Sequence, residues 1–299
     1  MKSSTIFSLL CFVLWGVADL FYKKSNNDKD KYSDLKTSIV VGIVMGIYAT
    51  CFIIYKEINF CDMGNYLIEG FKYLPVSFCY ILSMYIGYKG LKYIELSISS
   101  PVQNTSGVIT SILLLIFFRE KLPNVAYIAF LLVFVGVTFL SIFEKKDNRV
   151  VNISKKKNVL AIIFPIIYCI IDGLGTFLDA LYLDKFGIIS ENVALVSYEY
   201  TFFLVAIVGL IYLKIKKEKI KLKKNSSMWL AAIFETIGQF FYVFAMGTDS
   251  TINASIVGSY CIMSMLLSSI FLKERLSIFK YIFLFIAIIG IIILAIMDI

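Results

Sequence analysis

The sequence predicts an all-α membrane protein of ten transmembrane helices, arranged as two inverted five-helix repeats. Three observations predict it. Apolar side chains make up 59% of the 299 residues, and the mean hydropathy is +0.83. Ten apolar runs follow one another with only short polar segments between them. The second half then repeats charged and glycine positions of the first at a near-constant offset. No water-soluble core of this size buries so much apolar sequence, so lipid is the solvent expected for most of the surface.

A bilayer core is crossed by roughly 17–25 helical residues. Runs of about that size cover 6–22, 38–55, 73–88, 98–118 and 125–143, then 159–178, 193–213, 228–246, 252–272 and 278–297. The third is short and extends naturally to Phe71 or Gly90. The first is not a cleaved leader by its pattern. Only Lys2 precedes it, no small-x-small site follows it, and it carries Trp15 and Asp19. The largest polar segments are 23–36, 56–72, 144–158 and 214–227, all too short for a soluble domain.

Charge orients the chain. Segments after the odd-numbered runs hold 23 of the 29 Lys and Arg. The positive-inside rule places those segments in the cytoplasm and both termini outside, for a multi-pass protein of the cell membrane. The basic cluster at 214–224 is thereby read as a topology signal, and no nucleic acid partner is expected.

Composition excludes several chemistries. There is no His, which removes the commonest catalytic base and metal ligand. The six Cys form no C-x-x-C pair and read as small packing residues. No phosphate-binding G-x-x-x-x-G-K-[ST] loop occurs. No enzyme, no metal and no cofactor is expected.

The repeat is visible in charged positions. Phe117-Phe118-Arg119-Glu120-Lys121-Leu122 aligns with Phe271-Leu272-Lys273-Glu274-Arg275-Leu276 at an offset of 154, and Gly136 meets Gly290 in the same register. At an offset of 153, Trp15 to Asp19 meets Tyr168 to Asp172. The halves are taken as 1–146 and 155–299. Five spans per copy force the second copy to start from the opposite membrane face, so the repeats are inverted. Inverted repeats mark secondary transporters with a site near the midplane.

These residues resemble a known family. Gly90-Leu91-Lys92-Tyr93, Ser99-Ser100-Pro101-Val102, Arg119-Glu120-Lys121-Leu122 and Gly136 look like the EamA-type repeat of the drug/metabolite transporter superfamily. Phe244-Ala245-Met246 through Lys273-Glu274-Arg275-Leu276 and Gly290 look like a second copy. Pro101 of the fourth run departs from symmetry, because Ser255 stands opposite it. The resemblance implies a central cavity lined mostly by helices 1, 3, 4, 6, 8 and 9. It also implies secondary transport of a small metabolite, such as an amino acid, a sugar or a drug-like or cationic compound.

Polar residues within the runs are the candidate site. An ionisable group at mid-membrane costs roughly 2.5–3.5 kcal/mol on insertion scales. Asp172, Glu199 and Glu235 facing lipid together would cost on the order of 8–10 kcal/mol, comparable to a whole folding stability. They are expected to face inward. Glu235, Gln239 and Tyr242 stand at i, i+4 and i+7. Tyr168, Asp172, Thr176 and Asp179 form a like stripe, and Trp15 and Asp19 repeat its start. Asn104 shares a face with Ser111, and Ser255 with Ser259. Each stripe reads either as adhesion between helices or as solute and proton handling. The candidates for substrate binding or proton coupling are Trp15, Asn104, Tyr168, Asp172, Glu235, Gln239, Tyr242 and Ser259. Asp19 and Asp179 lie near run ends, where reaching water is easy, and are expected to matter less. Glu120 and Glu274, flanked by bases, are read as loop-ordering.

Glu199 and Glu235 fall opposite apolar or Gly positions of the first half, so a cationic or zwitterionic substrate, or a proton on Glu235, fits the one-sided charge. The expected partners are a small-molecule substrate and the lipid bilayer, with the chain acting as a monomer or homodimer. The alternative of another class is an intramembrane sensor, receptor or enzyme with a buried acidic site.

Overall fold

A computed structural model describes residues 3–25, 30–57, 60–90, 105–119, 122–147, 155–218, 226–273 and 276–297. Among them ten helical spans follow in order. They are α1 (Ser3–Ser25), α2 (Ser33–Tyr55), α3 (Phe60–Gly90), α4 (Thr105–Phe118), α5 (Asn124–Asp147), α6 (Lys155–Ala180), α7 (Glu191–Ile215) and α8 (Ser226–Met246), then α9 (Ser250–Leu272) and α10 (Ile278–Met297). Seven of these contain a stretch long and apolar enough to cross a membrane: α1, α2, α6, α7, α8, α9 and α10. Shorter apolar stretches occupy 109–118 of α4 and 124–140 of α5.

Three elements differ from the apolar runs. α3 begins at Phe60 rather than near Tyr73, because hydropathy marks a bilayer boundary and not a helix end; the more polar 60–72 stretch remains helical. α6 runs on into a π-helical turn, Leu181–Lys185, so its span ends beyond the apolar run. α9 is interrupted at mid-span. Its first segment ends at Val257, a turn covers 258–260, and helix resumes at Cys261.

The lipid-facing surface is apolar by helical periodicity. On α10 Ile278, Ile282, Phe285, Ile289, Ile292 and Ile296 are exposed. Leu284, Ala287, Ile291 and Leu294 of the same helix are buried. Spacings of three and four residues generate both stripes. The helices satisfy their own backbone polar groups, which is what allows them to present such faces to lipid.

Packing follows the repeat. α1 lies along α8, and α3 along α6. Exchanging the two halves turns the first pair into the second. α2 packs on α7, α4 on α9 and α5 on α10, each pair being its own image under that exchange. The contact of α5 with α10 shows the symmetry at single-residue level. A Cβ on Gly136 would stand 2.6 Å from Ala287 Cβ and 2.8 Å from Phe283 O. A Cβ on Gly290 would stand 2.8 Å from Ala129 O and from a Val133 methyl. Residues 129, 133 and 136 become 283, 287 and 290 at the offset of 154. Helix ends repeat too. Arg119 and Lys273, 154 apart, both take left-handed backbone (φ 50° and 58°) where their helices stop. The chain is thus two inverted five-helix repeats, each helix resting on a helix of the other half.

Candidate functional site

The interface between the halves holds a cavity of about 740 Å³, counting the space at its mouth. Local helical spacing aims the side chains. On α1, Trp15, Asp19 and Tyr22 stand at i, i+4 and i+7. On α6, Tyr168, Asp172 and Thr176 stand at i, i+4 and i+8. α3 supplies Tyr80, Met84 and Tyr88, and α8 supplies Glu235 and Tyr242. Ser106 and Gly107 of α4 face the interruption of α9, where Gly258 and Tyr260 line the wall. α7 contributes Tyr198.

Three carboxyls and a wall of aromatic rings dominate the lining. Asp172 accepts hydrogen bonds from Ser106 Oγ at 2.7 Å and Ser83 Oγ at 3.3 Å. Both donors come from the other half. Asp19 accepts from Ser264 Oγ at 2.7 Å, joining α1 to α9. Glu235 shares this lining with the Tyr22 hydroxyl, which is buried and has no hydrogen-bond partner among the described residues. The Trp15 indole stacks on Tyr242 with centroids 5.1 Å apart, and meets Tyr260 edge-on at 5.5 Å. Its N–H donates to the backbone oxygen of Glu235 at 3.3 Å. Among the described residues no Lys or Arg lines the cavity.

A hydroxyl network closes one end. Asp179 is fully buried. It accepts from Tyr73 Oη at 2.5 Å, and Tyr80 Oη lies 3.2 Å away. Tyr80 Oη also stands 2.5 Å from Tyr242 Oη. Three helices, α3, α6 and α8, meet at these oxygens. The expectation that Asp179 lies near water at a helix end is corrected. The π turn after Ala180 prolongs the helix by five residues, so Asp179 sits deeper than the apolar run indicates.

The EamA-like transporter profile matches residues 2–142 and again 159–296. The chain belongs to the EamA-like transporter family. It is a multi-pass membrane transporter of the drug/metabolite transporter superfamily, and not an enzyme. Among solved structures, a crystal structure of a protein sharing 12% identity superposes with a TM-score of 0.67 over 97% of both chains. At that identity the likeness concerns the fold alone. No curated protein sequence matches the chain significantly.

Within this EamA-like cavity lie five of the eight residues singled out from sequence: Trp15, Tyr168, Asp172, Glu235 and Tyr242. Asn104 falls outside the described residues, as do Glu120 and Glu274. Gln239 is buried but is not among the cavity-lining residues. Four residues of helix rotate it about 40° away from Glu235, whereas seven return Tyr242 to within about 20°. Ser259 is buried within the α9 interruption, and its hydroxyl donates to Ser255 O at 2.6 Å. Ser255 in turn bonds Ser111 across the α4–α9 contact at 2.9 Å, which is adhesion. Asp19, expected to matter less, also lines the cavity, and so do Tyr22, Tyr80, Tyr88, Tyr198 and Tyr260, which sequence reasoning did not single out. Their signal was present only as further aromatics among 19 Tyr and 26 Phe.

Proposed function

We propose that this EamA-like transporter is a secondary active carrier of a small organic solute. The solute occupies the cavity between the halves and passes by alternating access. One observation carries the reading: the acid-bearing cavity is walled by helices of both repeats, which pack on each other through a two-fold pattern. Rocking one half (taken as 1–146) against the other (155–299) exchanges which end of such a site is open. Glu235 is assigned the coupling proton. It is a buried carboxyl at the wall with no basic residue among the described lining, so it can hold a proton in one state and release it in another. The charge tally supports both termini outside the cell membrane. A single chain contains both halves, so monomer and homodimer are both compatible with transport.

The test is counterflow into liposomes holding only this protein, with amino acids, sugars, nucleosides and polyamines as the panel. Saturable exchange of at least one compound is expected. Glu235→Gln should abolish the pH dependence of that exchange while the protein still binds the compound. Unchanged transport with unchanged pH dependence would remove Glu235 from the mechanism. A panel with no exchange at all would remove the carrier reading.

A further inference from the structure

We infer that the cavity is an organic-ammonium site, built to hold a positively charged nitrogen on an apolar or aromatic body. The inference rests on the cavity being the solute site and names the chemistry of that solute. Three features carry it together.

The first is the acceptor set. Asp172 is held by the hydroxyls of Ser83 and Ser106, and Glu235 stands in the same lining. These partners are neutral hydroxyls. Asp172 and Glu235, two of the three carboxyls of this low-dielectric cavity, have no basic residue among the described lining, which leaves their charge to be balanced by what enters. A proton does this, and so does an ammonium ion. The two then compete for the same carboxyls, which is how the solute and the proton of the carrier reading become linked.

The second is the donor set, much of which is already engaged, the Tyr22 hydroxyl excepted. The Trp15 N–H is given to Glu235 O. Tyr80 is engaged with Asp179 and Tyr242, and Thr176 donates to Asp172 O. Even the α9 interruption offers no anion cradle. The backbone N–H groups of Tyr260, Ile262 and Ser264 bond to the oxygens of Val257, Ser259 and Tyr260. A sugar or the carboxylate of a zwitterion therefore meets mainly acceptors and ring faces where it needs several donors. Leaving its polar atoms unpaired costs about 1–3 kcal/mol each.

The third is the ring wall. The Trp15–Tyr242 stack and the Tyr260 edge contact form one corner. Tyr22 and Tyr88, with centroids 4.7 Å apart, form another. Aromatic faces attract a desolvated cation by about 2 kcal/mol. Carboxyls and ring faces around one space recognise an ammonium from several sides at once.

Three probes share one body and differ in charge: 2-phenylethylammonium, phenylalanine and 2-phenylethanol. Trp15 and Trp229 are the two tryptophans of the chain. In a Trp229→Phe background the fluorescence of the full-length protein in nanodiscs reports Trp15 alone. The ammonium should quench it saturably, about tenfold tighter than either other probe, a difference of about 1.4 kcal/mol. Asp172→Asn and Glu235→Gln should each weaken ammonium binding about tenfold and leave 2-phenylethanol unchanged. If one of these fails to fold, calorimetry on Trp15→Leu reads the ring wall instead, and a loss confined to the ammonium is expected. Equal or tighter binding of phenylalanine overturns the inference, as does no saturable ammonium binding. Counterflow of the same probes separates the two readings. Ammonium binding without flux removes the carrier and leaves the cation site. Flux of phenylalanine without ammonium binding keeps the carrier and removes the cation site.

Discussion

Glu199 differs from the other membrane acids in having neither cavity nor partner. It is fully buried on α7, and neither carboxyl oxygen has a hydrogen-bond partner among the described residues. Tyr48 of α2 is near enough to feel its charge but does not bond it. An unsatisfied buried polar group costs about 1–3 kcal/mol. Glu199→Met keeps the length of the side chain and removes that cost. It should raise stability by about 1–3 kcal/mol, read as thermal unfolding in detergent, and leave ligand binding unchanged. A fall in stability would mean that the carboxyl is satisfied in a way the fold does not show. The sequence places this acid inside the protein correctly, because the lipid penalty decides in or out. It does not distinguish Glu199 from Glu235, because the penalty is blind to what lies inside. Of the two, Glu235 lines the cavity and Glu199 does not.

Helix contacts are set by what is missing at a few positions. Backbone atoms of α10 stand where a Cβ on Gly136 would reach, and those of α5 where one on Gly290 would reach. Gly64 of α3, by contrast, faces open space. Replacing Gly by Ala removes conformational freedom from the unfolded chain and stabilises by roughly 0.4–1 kcal/mol where the site is open. Where backbone must retreat, overpacking costs about 1–3 kcal/mol. Gly136→Ala and Gly290→Ala should therefore destabilise by similar amounts of that order, and Gly64→Ala should not. Thermal unfolding of the three variants reads the comparison. Unequal loss at the two symmetric sites would count against their equivalence. Sequence made this pair legible because glycine is scarce enough for a repeat to be visible. The helix–helix pairing itself was not legible, since ten apolar runs carry no mark of which packs on which.

At the scale of the whole molecule, the ties between halves constrain how a carrier could move. Asn253 of α9 is bonded three ways. It accepts from Ser8 Oγ of α1 at 2.7 Å and donates to the backbone oxygens of Ala245 and Thr248. The first bond crosses from one half to the other and the remaining two stay within the second. Tyr73 and Tyr80 of the first half reach Asp179 of the second in the same way. If the halves rock, these crossing bonds cannot all persist in both states, and a covalent tie at one of them should hold the carrier in this state. Ser8→Cys with Asn253→Cys, in a background where the six natural cysteines are replaced, places two thiols at that crossing. Disulfide formation needs Cβ atoms about 3.5–4.5 Å apart, so the fraction of cross-linked protein is measured before transport is read. Oxidation should cut counterflow to about a tenth or less, and reduction should restore it. Ligand binding from solution should survive, because the tie is not part of the cavity wall. Full transport by a fully cross-linked protein would show that the α1–α9 contact stays closed throughout the cycle, and would move the hinge of the two inverted halves to that contact.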